Sequence, residues 1–247
     1  MIREPFIYVF CVLFPGVLLL LFALIGHYVQ GEVLSFSLRS LLPGIVSFSY
    51  SFVLLLLALQ VSKDRKSAFL RRLYVSPMRT SEFVFGYFFV GLLIGICQSV
   101  FALLLGYLIS LVTKAEYLSF VQCLLLVLAD LPLLVFHLFC GILIGSLFSD
   151  KAAPGISSVL ISLGGVLSGC WMPLETMGNL ENICMAFPFY PTVYLGRIIT
   201  GASRMVSFSP VYVFDLRGKL CLIPYLVYPV LFSVLSFWGF SYQKNEK

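Results

Sequence analysis

Six apolar runs divide the chain: Phe6 to Tyr28, Leu41 to Val61, Phe83 to Val112, Val121 to Leu147, Ile156 to Met172 and Leu220 to Phe240. An α-helix rises ~1.5 Å per residue and a bilayer's hydrocarbon core is about 30 Å thick, so roughly 20 residues cross it. The fifth run, rich in serine and glycine, covers only about 25 Å, whereas the other runs are long enough. Lipid offers a backbone no hydrogen-bond partners, so each run must close its bonds internally as a helix. Composition agrees: hydrophobic residues make up 60% of the chain, charged residues 11%, and the mean hydropathy is +1.03. These values describe an all-α integral membrane protein and exclude a soluble globular domain.

Between the second and third runs lies the one strongly charged stretch, Ser62 to Glu82, which carries Lys63, Arg65, Lys66, Arg71, Arg72 and Arg79. Clustered cations beside spans mark the cytoplasmic side. With the N-terminus inside, Arg3, these six residues, Lys151, Lys244 and Lys247 face the cytoplasm. Arg39, Lys114, Arg197, Arg204, Arg217 and Lys219 then lie outside. The net charge of +5 is thus an orientation signal, without the basic face that a nucleic-acid partner would need. Within the block, Phe69, Leu70, Leu73 and Tyr74 recur at i, i+1, i+4 and i+5, opposite Lys66, Arg71 and Arg72. Pro77 ends the pattern, which predicts a short amphipathic helix. Such a helix either anchors topology at the headgroups or docks a soluble partner.

Asp130 is the one acidic residue well inside an apolar run, and His137, seven residues on, shares its helical face. An intramembrane enzyme or a proton-coupled secondary transporter would use this pair, with Gln60, Gln98 and His27 among the few other polar groups in the runs. The plainer reading has Asp130 near the outer end of the bundle, bonded to another helix. The cysteines show no metal or redox spacing, and only Cys170 and Cys184 could meet outside the membrane. The sequence holds no HExxH, GxSxG or GxxxxGK[ST] motif. Three pairs at small-xxx-small spacing, Gly91 and Gly95, Gly141 and Gly145, Gly165 and Gly169, predict close helix packing.

Beyond the fifth run the chain is mixed. Pro173 is expected to halt that run, and Leu180, Ile183, Cys184 and Phe187 then repeat at i, i+3, i+4 and i+7 until Pro188 breaks the pattern. The stretch is too interrupted to span and too apolar to be a free loop. It predicts a pair of short helices over Glu175 to Tyr194, capping the bundle or dipping into the outer leaflet, with Tyr190 and Tyr194 at headgroup level.

Three stretches resemble ABC-2 type transporter permeases. The first, REPFIYVFCVLFPGVLLLLFALIG, is similar to that family's first span, with its Arg-x-Pro entry and central Phe-Pro, here Phe14 and Pro15. The family carries an interfacial helix before this point; here Met1 to Pro5 precede the run. The second, DRKSAFLRRLYVSPMRTSEFVFG, resembles the loop that carries the coupling helix, although Lys66, Ser67 and Ala68 stand where the family has acidic residues before a Gly-Thr pair. The third, LSGCWMPLETMGNLENICMAFPFYPTVYLGRII, looks like the family's Ser-Gly, aromatic, Pro-Leu, short helix and Pro-aromatic sequence between spans five and six.

The resemblance implies one six-span ABC-2 domain over residues 1–247, with a coupling loop at 62–82 and an external cap at 173–219. It implies that Lys66, Phe69, Leu70, Arg71, Leu73, Tyr74 and Pro77 dock a separate ATPase subunit, which would bind the ATP and magnesium, this chain holding no cofactor. It also implies a cap or gate formed by Trp171, Pro173, Phe187, Pro188, Tyr190 and Pro191, and a second permease copy or homologue. The expected setting is a bacterial plasma membrane with both termini cytoplasmic, and the expected activity is export of a drug, peptide, lipid or polysaccharide. In a chain whose native cysteines are replaced, an impermeant thiol reagent should label a cysteine at Asn179 in intact cells. It should label one at Ser67 only after permeabilisation, and the reverse pattern would refute this topology.

Overall fold

The computed structural model describes residues 5–28, 37–66, 80–114, 116–171, 174–202 and 212–245. Among them there are helices and no strands. The long helices are α1 (Pro5–Tyr28), α2 (Leu38–Lys66), α3 (Thr80–Thr113), α4 (Phe120–Leu147), and, at the C-terminal end, α8 (Leu216–Asn245). Between α4 and α8 lie α5 (Ala153–Leu167), a 3-10 turn (Leu174–Met177), α6 (Asn179–Cys184) and α7 (Phe189–Thr200). Among the described residues, four helices are long and apolar enough to cross a membrane: α2, and the segments Ser81–Thr113, Phe120–Leu147 and Gly218–Ser241. This is a multi-pass membrane protein.

The centre of the bundle is α2. Its apolar window is 94% buried, because α1, α3, α4, α5 and α7 pack round it on all sides. A helix apolar all round belongs in such a position. The tightest contact is with α4, and the sequence dictates why. A Cβ on Gly141 would stand 2.6 Å from the Leu54 carbonyl oxygen, and one on Gly145 would stand 2.8 Å from that of Ala58. The two backbones therefore meet directly, as the small-residue spacing predicts. The pair Gly91 and Gly95 brings α3 against Leu57, Leu138 and Leu134. The third pair does something else. Gly165 faces Phe48 and Trp171, whereas Gly169 adopts φ +63°, a left-handed conformation that ends the helix.

The helix limits differ from the apolar runs where polar residues continue a helix or a glycine stops one. α2 runs through Lys63 and Arg65 to Lys66, and α3 starts at Thr80, so residues expected to form the 62–82 loop extend both helices. The rest of the expected coupling helix, including Phe69, Leu70, Arg71, Leu73, Tyr74 and Pro77, lies outside the described residues. α5 ends at Leu167, not at Met172, and the turn at Gly169 takes the stopping role expected of Pro173, which itself lies outside the described residues. At 15 residues α5 is about 22 Å long. Its far end meets α2 at Gly44, whose Cβ would stand 2.7 Å from the Cys170 backbone. That level is about 9 Å inside the start of α2.

The connections sort to the two ends of the bundle. At one end, Arg65 and Lys66 meet residues 146–150. At the other, Arg39 pairs with Glu116 at 2.9 Å, and Thr200 donates to the Arg39 carbonyl at 2.7 Å. α5 therefore runs from the Lys66 end to the Arg39 end. This fixes a structural test: Gly141→Val should lower stability by about 1–3 kcal/mol through overpacking, read as an earlier midpoint in detergent unfolding. Gly155→Ala, with nothing within 4 Å of the added carbon, should leave the midpoint unchanged.

Candidate functional site

Three groups of polar residues stand out along α2, at its middle and at each end. The middle group joins α2 to α4. Ser47 donates to Asp130 Oδ1 at 3.3 Å, and one turn further on Ser51 lies 3.3 Å from His137 Nε2. Serines at i and i+4 on α2 thus face an acid and an imidazole at i and i+7 on α4. The His137 Nδ1 lies 2.9 Å from the Leu133 carbonyl, which can only accept, so Nδ1 carries the hydrogen and in the neutral ring Ser51 donates to Nε2. Both side chains are buried, and Asp130 Oδ2 has no hydrogen-bond partner. Asp130 is bonded to another helix, as the plainer reading has it, and lies about 15 Å along α4 from its first residue. A cavity of about 10 Å³, roughly one water, sits beside His137 between Ser51, Cys140, Leu160 and Phe189.

The group at the Arg39 end is built on α7. Its pattern places Tyr190, Val193, Tyr194 and Arg197 on one buried face. Tyr190 donates to Glu181 at 2.9 Å, and Tyr194 donates to Asp215 at 3.3 Å. Both rings are fully buried among their neighbours in the bundle. Arg197, which sequence reasoning did not single out as a site residue, holds this end together. Its Nη2 donates to the Gly169 carbonyl at 2.8 Å, Nε to the Ser40 carbonyl at 3.4 Å and Nη1 to the Tyr212 hydroxyl at 3.4 Å. The guanidinium also lies 5.7 Å from the Tyr212 ring centre. One cation thus ties α2, the residue past α5 and the segment before α8. The carbonyl end of α5, buried here, carries partial negative charge, which explains why a buried arginine is tolerated there.

Of the residues expected to form the cap, Trp171 packs edge-on against Phe48 at 4.5 Å and stacks on Phe22 at 5.7 Å. Pro188, Tyr190 and Pro191 are buried, and Phe187 is half-buried. In α6, Cys184 is buried while Ile183 is exposed, because α6 stops after six residues and its apolar stripe is not covered along its length. Cys170 and Cys184 are both free thiols.

The group at the Lys66 end surrounds the C-terminus of α2. Arg65 Nη1 donates to the Ser146 carbonyl, and Nη2 donates to that of Phe148 at 2.8 Å. Lys66 pairs with Asp150 at 2.9 Å, and Tyr87 and Gln60 both donate to Asp64 Oδ2, at 2.8 and 2.9 Å. The bond from Lys66 holds the Asp150 carboxyl below the usual carboxylate range. A depressed value means the contact is intact above the ordinary carboxylate pKa and is lost only as pH falls through the lower folded value, so it persists at neutral pH. Of these ties, the Arg65 bond to the Ser146 carbonyl is part-buried, whereas the solvated Lys66–Asp150 pair contributes little.

A family model described as ABC-2 family transporter protein matches residues 24–242. The chain belongs to the ABC-2 transporter family. Comparison with curated proteins gave no match, and comparison with solved structures gave none either. As an ABC-2 chain it is a membrane component of a transporter, and its polar groups are to be read as helix ties before they are read as chemistry. The Ser47–Asp130 and Ser51–His137 contacts are separate, with the two α4 groups about 10 Å apart along the helix.

The Arg197 tie can be checked in an ABC-2 chain that keeps Cys170 as its only cysteine. Cys170 is 1% exposed and should react slowly with a maleimide. Arg197→Met leaves the Gly169 carbonyl without its donor, at a cost of about 1–3 kcal/mol. It should speed that labelling at least tenfold, with Arg197→Lys in between.

Proposed function

We propose that this chain is the permease subunit of an ATP-driven ABC-2 exporter, crossing the membrane six times and powered by a separate ATPase. The observation that carries this reading is the sorting of the connections. Lys66 and Thr80, which flank residues 67–79, belong to the end where Lys63, Arg65 and Lys151 cluster, and α7 with its arginine lies at the other. A cationic end faces the cytoplasm, where ATP is available, and the apolar stripe of Phe69, Leu70, Leu73 and Tyr74 suits a groove on a soluble partner. In the sequence pattern Pro77 ends this stripe, and Lys66 and Arg71 flank it. MgATP is bound by the partner. No residue in the membrane then needs to do chemistry.

α1 completes the count of crossing helices, since its 24 residues extend about 36 Å, and α5 reaches the outer end with the help of the 171–200 segment. That segment, with Trp171, Pro173, Phe187, Pro188, Tyr190 and Pro191, closes the outer mouth as a gate. A second copy, or a homologous permease, supplies the other wall of the path in the plasma membrane of a bacterial cell, with both termini cytoplasmic. The cargo is a drug, peptide, lipid or polysaccharide. The rival readings, an ion-coupled carrier or an intramembrane enzyme, rest on Asp130 and His137, and the separate serine partners of these two residues favour neither.

Replacing Leu70 and Leu73 together with aspartate should abolish co-purification of the ATPase, at least a tenfold loss, while the amount of chain inserted in the membrane stays unchanged. Recovery of the complex at wild-type yield would remove the docking assignment.

A further inference from the structure

The residues that precede the docking loop are not free to move by themselves. Arg65 spreads its guanidinium over the carbonyls of Ser146 and Phe148, at the C-terminus of α4, where helix carbonyls lack intrahelical donors and carry partial negative charge. Lys66, the next residue, holds Asp150. The turn they grip is short and closed: the amides of Ala152 and Ala153 both donate to the Ser149 carbonyl, at 3.0 and 2.9 Å, and that of Ala152 also reaches the Ser149 hydroxyl at 3.3 Å. α5 begins directly after it. A compact turn of this kind transmits displacement to the helix that follows, since it has no slack to absorb it.

α5 is also built to follow. It leans on α2 far more than on α4, its neighbour in sequence, and the water-sized cavity lies where Leu160 of α5 faces Ser51, His137 and Phe189. At its far end, Gly164 and Gly165 lie against Phe189, Phe48 and Trp171, the first and last of which belong to the outer segment.

We propose that Arg65 is a positioning residue for transport: by clasping the α4–α5 turn it makes α5 move with the docking loop, carrying the ATPase stroke across the membrane to Phe189 and Trp171. This rests on the docking reading above. The fork geometry matters, because guanidinium can hold two carbonyls at once whereas an ammonium presents a point charge. The ion pair between Lys66 and Asp150 is the auxiliary grip.

The test uses the permease–ATPase complex in nanodiscs, with an environment-sensitive fluorophore on a cysteine at the exposed Ser158 of α5 and the native cysteines replaced. Addition of MgATP and vanadate should shift the emission of the wild-type complex. Arg65→Gln should reduce that shift at least fivefold while retaining the ATPase within twofold, and Arg65→Lys should fall between. Asp150→Lys, which breaks the Lys66 pair and substitutes no docking residue, should reduce it about twofold. This second variant keeps the proposal testable if Arg65→Gln fails to assemble. A full shift with Arg65→Gln or Asp150→Lys, or no shift in a wild-type complex that retains its ATPase, overturns the relay. Loss of the ATPase from Arg65→Gln, with normal chain in the membrane, assigns Arg65 to docking and also overturns it. If the wild-type chain retains no ATPase at all, the docking reading has failed and the relay falls with it.

Discussion

The close approach of α2 and α4 is the contact on which the rest of the bundle depends. Lipid is as apolar as leucine, so helices in it gain little from hiding leucines from one another; they associate by fitting closely and by bonding across the seam. Here glycines at 141 and 145 admit the carbonyl side of α2, and Ser47 and Ser51 meet Asp130 and His137 across the same seam. With that seam set, α1 and α3 cover one side of α2, and α5 and α7 cover the other. α8 then closes on α4, and its Tyr225 donates to the Ala129 carbonyl at 2.7 Å.

The same arrangement fastens α2 at both of its ends. Its N-terminal end is held by Arg197 and Thr200, and its C-terminal end by Arg65 and Lys66. Each fastening is made by a cation or hydroxyl to backbone carbonyls, apart from the Lys66 pair. Carbonyl partners depend on where a helix ends and not on what its side chains are, so they are invisible to any comparison of residue types. This is the physical reason that Arg197 and Arg65 escaped notice as site residues, one appearing as an outside charge and the other as a member of a basic block.

Much of the fold was legible because spans obey length and apolarity. The limits expected for α1, α3 and α4 match within a few residues, and the Gly141 and Gly145 pair marks the backbone contact that its spacing implied. The reading failed where local chemistry outweighed hydropathy. Gly169 stops α5 before the apolar run is exhausted, and Lys63 to Lys66 continue α2 because lysine and arginine are good helix formers. Tyr190 and Tyr194 are held by the buried Glu181 and the exposed Asp215, partners that no apolar periodicity marks. The polar pair on α4 was recognisable from its spacing, but its partners were not, since serine on an apolar helix has no pattern of its own.

The claim most central to this account is that Asp130 faces α2 at Ser47. A short bifunctional thiol cross-linker, applied in native membranes to a chain with cysteines at Ser47 and Asp130 and a protease site within residues 67–79, tests it directly. After cleavage the two fragments should stay joined, whereas a chain with cysteines at Ser47 and the exposed Leu128 should separate. Fragments that separate in the first chain and stay joined in the second would place α4 with another face toward α2 and contradict the seam.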